Sequence, residues 1–86
     1  MRKEFVITNQ QGIHARPATL VVAKANEFKS KITLTYEGAS VDLKSIMGVL
    51  SLGINRGSLI TIETKGEDEV EAMKALDRLI TELNIK

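Results

Sequence analysis

The 86-residue chain has no cysteine and no tryptophan, one proline, one histidine, and only two phenylalanines and one tyrosine. Without cysteine there can be no disulfide framework and no thiolate zinc site. A single histidine excludes a histidine-rich metal site, so no metal and no cofactor are expected. An excess of one charge is also missing: twelve Lys and Arg face eleven Asp and Glu, for a net charge of +1. That balance gives no general pull on nucleic acid. Long apolar runs are absent, so no segment reaches the roughly 18 residues that a membrane helix needs. The first residues, Met1-Arg2-Lys3-Glu4-Phe5, lack the apolar stretch and small-residue site of a signal peptide. A cytoplasmic location without membrane insertion is the expectation. The hydrophobic fraction of 43% is that of a folded domain, and the length suits one domain over residues 1–86.

What is present alternates between two periods. Residues 2–8 read as a strand with Phe5 and Ile7 on one face, followed by the polar turn Asn9-Gln10-Gln11-Gly12. From Ala15 to Phe28 the spacing is helical, with Ala18, Val21, Val22, Ala25 and Phe28 on one stripe. Pro17 fits the first turn of such a helix. Ile32, Leu34 and Tyr36 alternate with Lys31, Thr33 and Thr35, and Glu37-Gly38 is a two-residue turn leading to a short strand through Val41 and Leu43. Ser45 reads as the N-cap of a short helix ending near Leu52. Leu59 to Thr64 is a strand, and Gly66 closes it. Asp68 to Glu71 opens a last helix with a capping-box-like pair and a stripe of Met73, Leu76, Ile80 and Leu83. The order β-α-β-β-α-β-α, with strands apolar on one face, predicts an α+β open-faced sandwich. Its four-stranded antiparallel sheet is covered by three helices on one face.

The histidine lies at the start of the first helix, in Gly12-Ile13-His14-Ala15-Arg16-Pro17-Ala18. A lone histidine in a small domain is ordinarily a surface or loop residue. Here three features converge. A helix N-terminus offers unpaired N–H groups and a positive dipole end, which suit an anion. Arg16 adds a fixed cation whose fork matches phosphate oxygens. Neutral imidazole is a nucleophile near neutral pH, and a phosphoryl group on its nitrogen leaves again readily. By spacing alone this suggests phosphoryl acceptance, with no second acid or base at hand.

The run Gly12 to Thr19 resembles the active-site signature of HPr, the histidine-containing phosphocarrier family of the bacterial phosphoenolpyruvate-dependent sugar phosphotransferase system. A second run, Leu43-Lys44-Ser45-Ile46-Met47-Gly48-Val49, resembles the family's regulatory serine motif. The separation of the motifs, the length and the element order also match, so the resemblance covers the whole chain and is of the Gram-positive type. It implies that Nδ1 of His14 takes a phosphoryl group from phospho-enzyme I and passes it to EIIA domains of sugar permeases. Arg16 would contact the phosphoryl group. Ala15 and Pro17 would form the helix start that presents backbone amides to it. The chain would be a stoichiometric carrier rather than an enzyme, since transfer asks mainly for position and charge.

The resemblance also implies that Ser45 is the site of HPr kinase/phosphorylase, in addition to being an N-cap. Thr19, Leu20, Ile46, Met47 and Leu50 would form a docking surface for enzyme I, EIIA domains and a catabolite-control transcription regulator. Val49 is expected in the core, and Lys24 and Lys44 flank the same region. A carrier that docks several partners through one face is expected to be monomeric. The sequence departs from common members at Thr8-Asn9-Gln10-Gln11, at Asp42 and at the end, Asn84-Ile85-Lys86. A regulatory paralogue acting mainly through Ser45 is the alternative, but the known carbon-repression paralogue lacks the histidine. RNA binding would call for exposed aromatics on a strand face, whereas Phe5, Phe28 and Tyr36 all fall on apolar stripes.

Overall fold

The computed structural model describes residues 1–10 and 12–85. The elements are β1 (Arg2–Val6), α1 (Ala15–Ala25), β2 (Lys31–Tyr36), β3 (Ala39–Asp42), α2 (Ile46–Ser51), β4 (Leu59–Lys65) and α3 (Glu69–Ile85). The strands form one antiparallel sheet in the order β1-β4-β2-β3. β1 and β2 therefore run parallel with β4 between them, and β3 and β4 run parallel with β2 between them. Each of α1 and α2 thus crosses over a strand supplied later or earlier in the chain. The fold is two interleaved split β-α-β units.

Alternation decides which face the helices take. Phe5, Ile32, Leu34, Ile60, Ile62 and Thr64 are buried on one face, with Leu34 opposite Ile62 and Phe5 opposite Ile60. Ala18, Val21 and Ala25 of α1, Val49 of α2, and Ala72, Met73, Leu76 and Ile80 of α3 close over them. Each fully buried Leu or Ile contributes on the order of 1.5–3 kcal/mol relative to exposure. The opposite face keeps Arg2, Glu4, Lys31, Thr33, Thr35, Thr61, Glu63 and Lys65, none of them buried. The hairpin between β2 and β3 turns on Glu37 (φ 50°) and Gly38 (φ 81°), the two left-handed residues that a tight turn of matching twist requires.

Three local readings are corrected. The first helix stops at Ala25 rather than Phe28, because Asn26 caps it: its side-chain Nδ2 donates to the Val22 carbonyl at 2.9 Å and to the Lys44 carbonyl at 3.1 Å. Phe28 still packs on the core, from the turn that follows. The first strand ends at Val6 in ladder terms, though Ile7 remains buried and exchanges backbone hydrogen bonds with Gly57 and Ser58. Finally, Asp68 does not cap its own helix through its carboxylate. That carboxylate crosses to the α1–β2 turn, accepting from Lys29 N–H at 2.8 Å, from Ser30 N–H at 2.9 Å, and from the Ser30 hydroxyl. The reaching-back role belongs to Glu69, whose Oε1 accepts from Gly66 N–H at 3.3 Å.

The Ser30 hydroxyl, followed by the Lys29 amide, favours the ionised form of Asp68 and holds its carboxyl below the usual carboxylate value. A lowered folded-state value means stability that is present above the unfolded-state value, near 4, and is lost as pH falls through the folded-state value. Asp68→Asn leaves a single acceptor oxygen where two now serve three donors. The variant is expected to melt below the wild type at pH 7. The gap should close as pH falls below about 4. Thermal unfolding of both chains across that range checks it.

Candidate functional site

His14 is the N-cap of α1. Its backbone is extended (φ −91°, ψ −167°), and its side chain makes no capping hydrogen bond. The first intrahelical bond runs from Ala18 N–H to the His14 carbonyl at 2.8 Å. The N–H groups of Ala15 and Arg16 therefore have no helical acceptor, and Pro17 brings no N–H of its own. The first turn of α1 holds no acidic residue. Two open donors and the positive end of the helix dipole thus meet at an exposed imidazole, with no carboxylate of the first turn competing for them. His14, Ala15 and Arg16 line a shallow surface depression together with Gln10. Ala15 and Arg16 are exposed, while Pro17 is buried and anchors the turn beneath them. Pro17 is therefore a support, and the donors belong to its two predecessors.

A second part of the chain holds this turn in place. Ile13 N–H donates to the Ile54 carbonyl at 2.9 Å, and both side chains are buried. Gly12, at φ +61°, allows the approach: a Cβ there would lie 2.4 Å from the Ile54 carbonyl oxygen and 2.8 Å from Asn55 Cα. Any larger residue would push the turn off its support and would be strained in φ as well. As a result the His14 ring sits beside Asn55, with Nε2 3.3 Å from Oδ1 of the carboxamide. Asn55 is 41 positions away in sequence. Nothing local in the sequence singles it out beyond its place between Gly53 and Gly57 in a turn.

The docking candidates fall on the outer surface of α1 and α2. Leu20 (45% exposed), Met47 (76%) and Leu50 (39%) are uncovered, whereas Ile46 is half-buried and packs on the core and Val49 is fully buried. Arg16 and Leu20 are one turn apart on α1, and Met47 and Leu50 are one turn apart on α2, so each pair shares a face. Thr19 is exposed, but its hydroxyl donates to the Ala15 carbonyl at 2.8 Å. The Lys44 amine donates to the Phe28 carbonyl at 2.7 Å and so serves the fold. Lys24 pairs with Glu27 at 3.2 Å.

Ser45 is the N-cap of α2, and its Oγ accepts from Gly48 N–H at 3.2 Å. It is not beside His14. Asn26 ties the C-terminal end of α1 to residue 44, while the chain leaving α2 reaches Ile13 at the N-terminal end of α1. α1 and α2 thus lie antiparallel, and Ser45 and His14 are separated by about the length of α1, roughly 16 Å for 11 residues. Among the described residues, no cluster of three or more His, Asp or Glu side chains could hold a metal ion, and no helix is long and apolar enough to cross a membrane.

This geometry agrees with the comparisons. Residues 1–82 match the family model described as the PTS HPr component phosphorylation site. The structure is similar to that of HPr from Thermoanaerobacter tengcongensis, with a TM-score of 0.95 at 40% identity, covering 100% of this chain and 97% of that one. It is also similar to the phosphocarrier protein HPr of Bacillus anthracis, with a TM-score of 0.87 at 43% identity over 92% of this chain and 94% of that one. A third relative is Crh, the catabolite-repression protein of Bacillus subtilis, solved as a domain-swapped dimer. It gives a TM-score of 0.76 at 40% identity over 90% of this chain and 88% of that one. With its four-stranded sheet, its three helices and His14 at the first helix N-terminus, the chain belongs to the HPr family, the phosphocarriers of the phosphotransferase system.

Proposed function

We propose that this chain carries a phosphoryl group on His14, receiving it from phospho-enzyme I and delivering it to EIIA domains of sugar permeases. The observation that carries the reading is the exposed His14 at the open N-terminus of α1, with the free N–H groups of Ala15 and Arg16 beside it. These donors and the Arg16 guanidinium offset the charge of an arriving phosphoryl group. Because the site is exposed, a partner must complete it and exclude water, which fits a stoichiometric carrier without turnover of its own. The protein acts in the cytoplasm as a monomer, meeting its partners through Leu20, Met47 and Leu50, with Thr19 and Ile46 at the margin.

Ser45 is a second, regulatory phosphorylation site on this reading, served by HPr kinase/phosphorylase and read by a catabolite-control transcription regulator. Its Oγ is exposed at a helix start, where added negative charge is tolerated by the dipole. Its distance from His14 means that a phosphate there acts on the docking surface and not on the imidazole. A purely regulatory role, suggested by the likeness to Crh, is disfavoured by the presence of His14.

With phosphoenolpyruvate and enzyme I, the chain is expected to gain one acid-labile phosphate. His14→Ala should abolish it, and Arg16→Ala should slow it by about 10- to 100-fold, the worth of a lost charge-assisted hydrogen bond. Intact mass before and after acid treatment reads both. Phosphorylation of Ser45 should slow subsequent His14 phosphorylation by raising the KM for enzyme I. Equal steady-state constants for the two forms would count against the regulatory role. Met47→Glu, at an exposed position, should leave the melting temperature near wild type while weakening enzyme I binding, as titration calorimetry would show.

A further inference from the structure

The Nε2–Oδ1 contact between His14 and Asn55 has a chemical consequence, because a neutral imidazole holds one proton and one lone pair, on different nitrogens. A neighbour that accepts a hydrogen bond from Nε2 keeps the proton there and leaves the lone pair on Nδ1. A neighbour that donates to Nε2 does the reverse. Here the carboxamide oxygen faces Nε2 at 3.3 Å. We propose that Asn55 is a positioning residue for His14, holding the Nε2–H tautomer and the ring orientation that present the Nδ1 lone pair to an incoming phosphoryl group. The inference rests on the carrier reading above and deepens it.

The placement of Asn55 is built into the fold. Its backbone carbonyl accepts from Ser58 N–H at 3.2 Å. The preceding carbonyl, of Ile54, takes Ile13 N–H, and Gly12 packs directly on Asn55 Cα. The residue that carries the imidazole and the residue that orients it are thus joined through a backbone hydrogen bond one position before each. The side chains need only their own rotamers to meet.

The transfer step accounts for why an acceptor is useful at Nε2. The Nδ1 lone pair forms the N–P bond while the donor's bond to phosphorus breaks, its electron pair leaving with a donor imidazole. His14 then carries a proton on Nε2 and the phosphoryl group on Nδ1, so its ring has become cationic. The Nε2–H···Oδ1 hydrogen bond is neutral before the step and charge-assisted after it, and so strengthens along the reaction. Asn55 touches neither phosphorus nor donor and acts only through His14.

Because His14 is the sole histidine, its two ring nitrogens can be read without ambiguity by 15N NMR of the whole, unphosphorylated chain. The neutral wild-type ring should show a pyridine-like Nδ1 and a pyrrole-like Nε2. Asn55→Ala should move both resonances toward a tautomer average and slow phosphoryl transfer from a phosphohistidine donor by about three- to tenfold, as for loss of one modest hydrogen bond. Asn55→Asp keeps an acceptor oxygen in place and should restore the wild-type nitrogen pattern. Ring resonances unchanged in Asn55→Ala, a wild-type ring protonated on Nδ1, or an aspartate variant that behaves like the alanine one would each overturn the proposal. The NMR readout needs no donor. A wild-type chain that takes no phosphoryl group would therefore overturn the carrier reading while the nitrogen pattern still decides the role of Asn55.

Discussion

Ile32 and Leu34 of β2 and Ile60 and Ile62 of β4 point the same way from the two central strands, and the rest of the molecule is arranged around covering them. Their neighbours Lys31, Thr33, Thr61 and Glu63 face water on the other side. A sheet apolar on one face only can bury that face in one way, by collecting its helices there. Chain connectivity then does the sorting. With β4 between β1 and β2, and β2 between β3 and β4, the crossover helices α1 and α2 come to lie side by side, and α3 fills what remains against β4 and α1.

That side-by-side placement sets the surface around His14. α1 points its open N-terminus outward at one end of the molecule, and the chain leaving α2 arrives at the same end. Gly12 lets the two backbones touch, and the Ile13–Ile54 hydrogen bond holds them. The imidazole is therefore poised on a junction of two segments rather than on a loop alone. The junction fixes where the ring stands relative to the open N–H groups of Ala15 and Arg16. At the opposite end, Asn26 fastens α1 to residue 44 and sets Ser45 roughly a helix length, about 16 Å, from His14. His14 and Ser45 are thereby connected by an apolar surface, with Leu20, Met47 and Leu50 exposed on it, and not by contact.

The strands and helices were legible because alternation and helical stripes are local signals. Glu37-Gly38 identified its hairpin for the same reason, since a two-residue turn needs two left-handed residues in sequence. Errors arose where a distant group took over a local role. Asp68 reads as a cap for its own helix, yet Ser30 and Lys29, 38 and 39 residues earlier, claim its carboxylate. Asn26 ends α1 early because Lys44, 18 residues away, offers its second acceptor. His14, Ala15 and Arg16 were legible as the start of α1 from their spacing and the proline. Met47 and Leu50 were legible as surplus apolar residues on a helix too short to bury them, whereas Ile46 found room against the core.

By itself the sequence determined the elements, the one-sided core, the helix start that carries His14 and Arg16, and the two motifs that resemble the HPr family. These depend on interactions within a few residues, where periodicity, turn chemistry and helix ends act. Only the tertiary structure decided that Asn55 stands at the imidazole, that Ser45 stands far from it, and that Gly12 must be a glycine for contact as well as for φ. Each of those facts is a distance between segments remote in sequence. Such distances are set by how the helices pack over the sheet, which no local pattern encodes.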